Sequence, residues 1–101
     1  MAVNFDKAPG SRIGVTQNFT STTASQATAA LGAQTYQVRV AVSGQATWVK
    51  VGDGTPTAAT TGDGGVLMPS NTIDYFACTP GMKVALVGGT AGALVTITEM
   101  I

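Results

Sequence analysis

The feature that most constrains this chain is an alternation of apolar and polar residues that begins near residue 34. Within residues 35–42 the valines fall on one side and polar side chains on the other, which is the pattern of a half-buried strand. Similar segments follow at 47–51, 72–79, 83–87 and 94–101, with weaker ones at 57–61 and 66–68. Turn signals separate them at intervals of roughly ten residues, and Pro80-Gly81 suits a type II turn. We therefore predict an all-β fold, a small antiparallel β-sandwich of jelly-roll-like form, over residues 34–101.

The first 33 residues have a different character, because they are polar and poor in aliphatic side chains. Residues 16–34 read TQNFTSTTASQATAALGAQ, which approaches low complexity. We predict an extended or partly disordered N-terminal arm over residues 1–33, or an arm that becomes ordered against a neighbouring subunit. A capping-box pattern at residues 23–26, with Gly32 as a terminator, leaves a short helix open. The arm offers Phe5, Ile13, Val15 and Phe19 as anchors, and removal of residues 2–20 is expected to leave the domain folded.

The size, charge and cysteine content of the chain point to self-association. A chain of 101 residues is a single domain with a modest core, and such domains often rely on disulfides, metals or oligomerisation. The one cysteine cannot form an intrachain disulfide, and the absence of histidine disfavours zinc. The five basic and five acidic residues are scattered, so we expect no nucleic-acid partner. No segment resembles a secretory signal or a membrane span, which predicts assembly in a cytoplasm.

The residues that enzymes use for chemistry are sparse, so we predict a protein that is not an enzyme and has no cofactor or metal. There is no histidine for general acid–base catalysis. Asp53 and Asp63 lie in Gly-Asp-Gly segments that are typical of turns rather than of a calcium loop. Cys78 lies in an apolar strand segment and is predicted to be a buried core residue.

The aromatic residues allow one alternative function, a carbohydrate-binding module. Trp48, Tyr75 and Phe76 offer the side chains from which a sugar- or peptide-binding platform is built. A single tryptophan in so small a β domain is more often a core residue or a subunit contact, and that interpretation is preferred here.

Several strand and turn features recur together in one known class of proteins. They are Val38-Arg39-Val40, Trp48-Val49-Lys50-Val51-Gly52, Leu67-Met68-Pro69, Tyr75-Phe76, Pro80-Gly81 and Val95-Thr96-Ile97-Thr98. In this order the chain resembles the small β-sandwich structural proteins of tailed bacteriophages, namely capsid decoration (cement) proteins and related head accessory proteins. The resemblance covers residues 34–101 and supplies no functional residue to transfer.

The resemblance implies a non-enzymatic virion protein that decorates the outer capsid shell and stabilises contacts between capsomers. It implies a homotrimer, with the major capsid protein as partner and the capsid surface as location. We expect Phe5, Arg12, Ile13 and Phe19 of the arm to contact the capsid or a neighbouring subunit. A head-to-tail, neck or fibre-base component of the virion is the alternative within the same class.

Overall fold

The computed structural model describes residues 13–101, which form eight β-strands and no helix. The strands are β1 (Ile13–Thr20), β2 (Gln26–Ala27), β3 (Gln37–Ser43), β4 (Thr47–Gly52), β5 (Val66–Met68), β6 (Thr72–Ala77), β7 (Lys83–Gly88) and β8 (Leu94–Met100). They build two four-stranded sheets. We call the sheet with strand order β1-β8-β3-β6 the front sheet and the sheet with order β2-β7-β4-β5 the back sheet. All the pairings are antiparallel, so the predicted all-β sandwich is confirmed.

The strand order is that of a jelly roll. β1 pairs with β8, β2 with β7, β3 with β6, and β4 with β5. The chain is thus one long hairpin, with β1 to β4 as one leg and β5 to β8 as the other. It is rolled up so that successive strands within each leg alternate between the sheets, while β4 and β5 pair within the back sheet. This arrangement makes nearly every strand contact a long-range one.

The core lies between the two sheets and is built from the apolar phase of the alternation. Val38, Val40 and Val42 of β3 and Val95 and Ile97 of β8 are buried on the inner side of the front sheet. Side chains of β4, β5 and β7 meet them from the back sheet, among them Val49, Met68, Val84 and Leu86. Burial of each such side chain contributes about 1.5–3 kcal/mol, so the period-two pattern both defines and stabilises the sandwich.

The N-terminal segment differs from the predicted arm over residues 13–33, because it belongs to the sandwich. β1 is an edge strand of the front sheet and β2 an edge strand of the back sheet. No helix forms at the predicted capping box; Ser25 Oγ instead accepts the backbone N–H of Ala58 at 2.9 Å. An apolar helix face made almost entirely of alanine offers less stabilisation than strand pairing with β7. Residues 1–12 lie outside the described residues.

Buried hydroxyl groups explain how so polar a segment joins a sandwich. Ser21 is fully buried, and its Oγ accepts the N–H of Ala93 at 3.0 Å while its own N–H donates to the Ala93 carbonyl at 2.8 Å. Thr28 repeats the arrangement with Val84, at 3.0 Å and 2.9 Å. These side chains satisfy backbone groups that would otherwise be buried without a partner. In this segment, hydrogen bonds from buried hydroxyl groups attach the chain to the sandwich, as aliphatic packing does in the other strands.

A buried carboxylate fastens the connection between β2 and β3. Glu99 of β8 is buried, and its Oε1 accepts the backbone N–H of Gly32 at 3.0 Å and the hydroxyl of Thr35. Cys78 lies beside this cluster and its thiol donates to the Thr35 carbonyl, with a sulfur–oxygen distance of 3.6 Å. The predicted burial of Cys78 is confirmed.

Two connections show where sequence patterns succeeded and failed. Gly81 has a φ of 88°, and the N–H of Met82 donates to the Thr79 carbonyl at 3.2 Å, which confirms the predicted type II turn. The weak strand predicted at residues 57–61 is wrong, because this segment is an irregular loop. Within this loop Ala58 is buried, and it packs on the outer side of the back sheet.

Candidate docking face

The two outer faces of the sandwich differ, because only the back sheet is covered by its own chain. The β4–β5 connection folds across that sheet and buries Ala58, which is 4% exposed, against Ala85 and Val87. Trp48 packs at the side of this small cluster. Lys83 Nζ also donates to the Thr55 hydroxyl at 3.4 Å. The outer side of the back sheet is therefore a second, minor core.

The outer side of the front sheet carries no such cover among residues 13–101. Cross-strand partners in an antiparallel sheet point to the same side, so the register places these side chains in rows. The rows are Thr16–Thr98–Arg39–Tyr75, Asn18–Thr96–Ala41–Ile73 and Thr20–Leu94–Ser43, with Ile13 beyond the first row. We call this set of residues the docking face.

The polar part of the docking face is neutral and rich in hydroxyl groups. Arg39 is the one charged residue in the rows. Thr16 and Thr98 share a hydrogen bond of 3.3 Å between their hydroxyls, and the Thr96 hydroxyl donates to Asn18 Oδ1 at 3.0 Å. Threonine and asparagine side chains can accept and donate further hydrogen bonds. Another neutral surface can therefore approach this face without charge repulsion.

The apolar part of the docking face consists of large side chains held in water. Ile13 is 73% exposed, Leu94 61% and Ile73 54%. Leu94, Ile73 and Ala41 line one shallow depression, and Ile13, Tyr75 and the stem of Arg39 line a second. Single exposed apolar residues are common, but several on one uncovered face indicate an interaction surface.

The structure places the predicted anchor residues in different environments. Ile13 lies on the docking face and is exposed, as an anchor must be. Phe19 is partly buried and packs against the core from the inner side of β1. Phe5 and Arg12 lie outside the described residues. Leu94 and Ile73 were not identified from the sequence. Both are large apolar residues at strand positions where the alternation calls for a polar residue, and this exception to the pattern could have indicated an exposed apolar surface.

The aromatic platform of the alternative function, a carbohydrate-binding module, does not form. Trp48 lies on the outer side of the back sheet, beside Ala58. Tyr75 lies on the outer side of the front sheet, and Phe76 points inward to the core. The three rings therefore occupy three different surfaces of the sandwich and cannot bind one ligand together.

The ionisable groups serve the fold. Asp53 and Asp63 are exposed next to glycines with positive φ, Gly54 at 65° and Gly62 at 63°, which fits their predicted place in turns. Within residues 13–101 no three histidine, cysteine, aspartate or glutamate side chains gather in a way that would hold a metal ion. Burial, and secondarily the charge of Glu99, raise the pKa of Cys78 above its ordinary value of 9.0. The thiol is thus protonated and shielded at neutral pH.

The described part of the chain has no helix that is long and apolar enough to cross a membrane.

Comparison with known proteins does not identify a family for this chain. No protein-family model matches the sequence, and no curated protein is detectably similar to it. One solved structure aligns over 100% of this chain and 99% of its own, with 13% identity and a TM-score of 0.47. It is described as Bacillus endospore appendages that form a novel family of disulfide-linked pili. At this distance function does not follow from likeness, so the docking face is interpreted from its own residues.

Proposed function

We propose that this chain is a non-enzymatic structural protein of a virion, a capsid decoration protein that binds the outer shell through its docking face. The observation that carries the docking role is the asymmetry between the two outer faces. The β4–β5 connection covers the back sheet around Ala58 and leaves Leu67 half-exposed at its edge, whereas the front sheet, uncovered within residues 13–101, keeps Ile13, Ile73 and Leu94 in water. The assignment to a virion rests on the resemblance of residues 34–101 to bacteriophage decoration proteins.

The chemistry of the docking face suits binding to a crowded protein lattice. Copies that lie side by side on a shell repel one another if they are highly charged, and this face has one charged residue among its rows. A contact of a few apolar side chains and neutral hydrogen bonds is modest for one copy. Many such contacts on one shell become strong together, because each bound subunit raises the effective concentration of its neighbours when they are linked.

The experiment compares two leucines in shell binding. Leu94 is on the docking face and 61% exposed; Leu67 is on β5 of the back sheet and 49% exposed. Purified capsid shells of a tailed phage are titrated with the protein, and bound protein is measured by sedimentation. Burial of a leucine is worth about 1.5–3 kcal/mol, so Leu94→Asp should weaken binding at least about tenfold.

Leu67→Asp is the matched control and should bind within about a factor of two of the parent protein. Equal losses in both variants, or no binding by the parent protein to any shell, would refute the proposal. Phe5 and Arg12 stay predicted contacts, and a variant lacking residues 2–12 tests them in the same titration. A handful of copies per native particle, rather than full coverage of the shell, would indicate the neck or fibre-base alternative.

A further inference from the structure

The four sheet edges differ in how well they are protected against pairing with another strand. The edges of the back sheet, β2 and β5, have two and three residues. The β6 edge carries Asp74, whose Oδ1 accepts the backbone N–H of Tyr75 at 2.8 Å. Short strands and charged side chains are the devices by which proteins protect sheet edges. Three of the four edges are therefore protected against pairing with another strand.

The fourth edge, β1, is neither short nor charged, and the one irregularity in its pairing with β8 lies at its start, between Ile13 and Thr16. β1 is eight residues long, and its sequence IGVTQNFT contains neither a charged residue nor a proline. It pairs with β8 on one side, and no strand within residues 13–101 pairs with the other side. Thr16, Asn18 and Thr20 are exposed. A long, uncharged edge is a template for strand addition.

The backbone groups that face this open side can be identified from the ladder. Directly beyond the ends of β1 and β8, the N–H of Ser21 donates to the Ala93 carbonyl at 2.8 Å, so these two residues continue the ladder as a hydrogen-bonded pair. Bonded and non-bonded pairs alternate along an antiparallel ladder. Residues 17 and 19 therefore bond to β8, whereas residues 16, 18 and 20 direct their N–H and C=O groups outward.

One contact confirms this assignment. The Thr20 carbonyl accepts the side-chain amide of Gln26 at 3.3 Å, which requires it to point away from β8. The outward N–H and C=O groups of Thr16 and Asn18, together with the Thr20 N–H, remain for another strand.

We propose that β1 pairs antiparallel with β1 of a second copy of this chain, around a two-fold axis. The two front sheets, each of four strands, then form one continuous sheet. A suitable register sets Asn18 opposite Asn18 of the second copy and Thr16 opposite Thr20. Every pair in that register is uncharged, and the outward-facing pairs are polar residues that form cross-strand hydrogen bonds.

A second copy fits this edge because an antiparallel pair of identical strands is self-complementary. Such isologous contacts are the commonest form of homo-oligomer interface. The pairing also brings the docking faces of both copies to the same side of the joined sheet. It deepens the proposed function by making the unit that contacts the shell bivalent, but self-association does not depend on a shell. A two-fold pair would replace the trimer that the resemblance implies.

The first test measures association in the absence of any shell. Sedimentation velocity over increasing protein concentration should show a monomer–dimer equilibrium for the parent chain. Asn18→Pro removes one N–H that faces the open edge and should abolish the dimer. Ala77→Pro is the matched control, because its N–H faces the open edge of β6, and it should leave the dimer intact. Circular dichroism and thermal melting establish that both variants are folded.

The second test uses the unmodified chain, so that it holds even if Asn18→Pro does not fold. Amide exchange followed by NMR should slow at Thr16 and Asn18 as the concentration rises. When about nine-tenths of the chains are paired, exchange through the monomer slows about tenfold. The Ile73 amide, on the opposite edge of the sheet, should keep its rate.

Other outcomes would overturn the inference. These are a monomer at all concentrations, a trimer, a dimer that survives Asn18→Pro, or protection at Thr16 and Asn18 that is independent of concentration. Protection that disappears when residues 2–12 are deleted would show that the chain covers its own edge. Because none of these measurements includes a shell, their failure would leave the result of the Leu94 titration standing, and the reverse is also true.

Discussion

Replacement of Glu99 by alanine is expected to be among the most destabilising single changes in this protein. Glu99 Oε1 accepts two hydrogen bonds, one from the Gly32 N–H at 3.0 Å and one from the buried hydroxyl of Thr35. Both donors lie in the connection between β2 and β3. Without the carboxylate, that connection loses its attachment to β8 and two polar groups lose their acceptor.

The magnitude follows from the number of bonds. A hydrogen bond to a charged group contributes about 1.5–3 kcal/mol, and a buried donor left without an acceptor costs a similar amount. Two such bonds give a loss of about 3 kcal/mol or more in the free energy of unfolding. In a domain of this size, that corresponds to a fall of roughly 12–24 °C in Tm. Glu99→Gln retains an acceptor oxygen and should lose about 1 kcal/mol.

Urea denaturation of the two Glu99 variants, with Asp63→Ala as an exposed control, measures these changes. The reasoning requires the order Glu99→Ala, Glu99→Gln, control, from most to least destabilised, with similar m values. Thr35→Val in the background of Glu99→Ala should cost much less than in the parent chain, because the two residues share one hydrogen bond. A loss below about 0.5 kcal/mol for Glu99→Ala would refute the assigned role, since that is the level of ordinary surface changes.

Three further predictions test other parts of the fold. The Cys78 thiol should resist a disulfide reagent until the protein unfolds. Because the pKa of Cys78 is raised in the folded state, its contribution to the free energy of unfolding should be fully present below pH 9.0 and fall above it. Urea titrations at each pH measure this dependence, and Cys78→Ala should remove it. Gly65→Ala should destabilise by more than about 2 kcal/mol, because its φ is 141° and a Cβ would lie 2.7 Å from a backbone oxygen. Gly54→Ala, with a φ of 65° and open space around it, should cost about 1 kcal/mol in the same melts. Deletion of residues 2–12 should leave a cooperative thermal transition, whereas deletion of residues 2–20, which the sequence alone led us to expect would leave the domain folded, should abolish it because β8 loses β1.

Most of the strands from β3 to β8 could be predicted because aliphatic side chains recur on their inner side; β6 is the exception, with Thr72, Asp74 and Phe76 on that side. The three valines of β3 recur with a period of two, and Val95 and Ile97 of β8 alternate with threonines, although Leu94 and Glu99 break the pattern at the ends of β8; glycine or proline marks the turns between strands. Pairing order could not be read from the sequence, because any of several registers buries the same valines. The structure selects the register through contacts that are far apart in the chain.

The attachment of residues 13–33, which contain β1 and β2, was not predictable on the same basis. Their attachment to the sandwich depends on Ser21, Thr28 and the acceptor Glu99, each of which bonds a backbone group more than 50 residues away. Hydroxyl groups do not mark a strand in a sequence, because they favour turns and caps equally well. The docking face was partly visible as Leu94 and Ile73 in the polar phase, but their grouping depends on the pairing order.

The position of β8 between β1 and β3 has a consequence for synthesis of the chain. Of the eight strands described, β8 is synthesised last, and the front sheet has no continuous row of hydrogen bonds until β8 is in place. Until then the valines of the earlier strands stay exposed to water, since the partners of β1 are about 80 residues downstream. A product that ends before β8 lacks Leu94 and the strand that joins β1 to β3, so it cannot form the docking face.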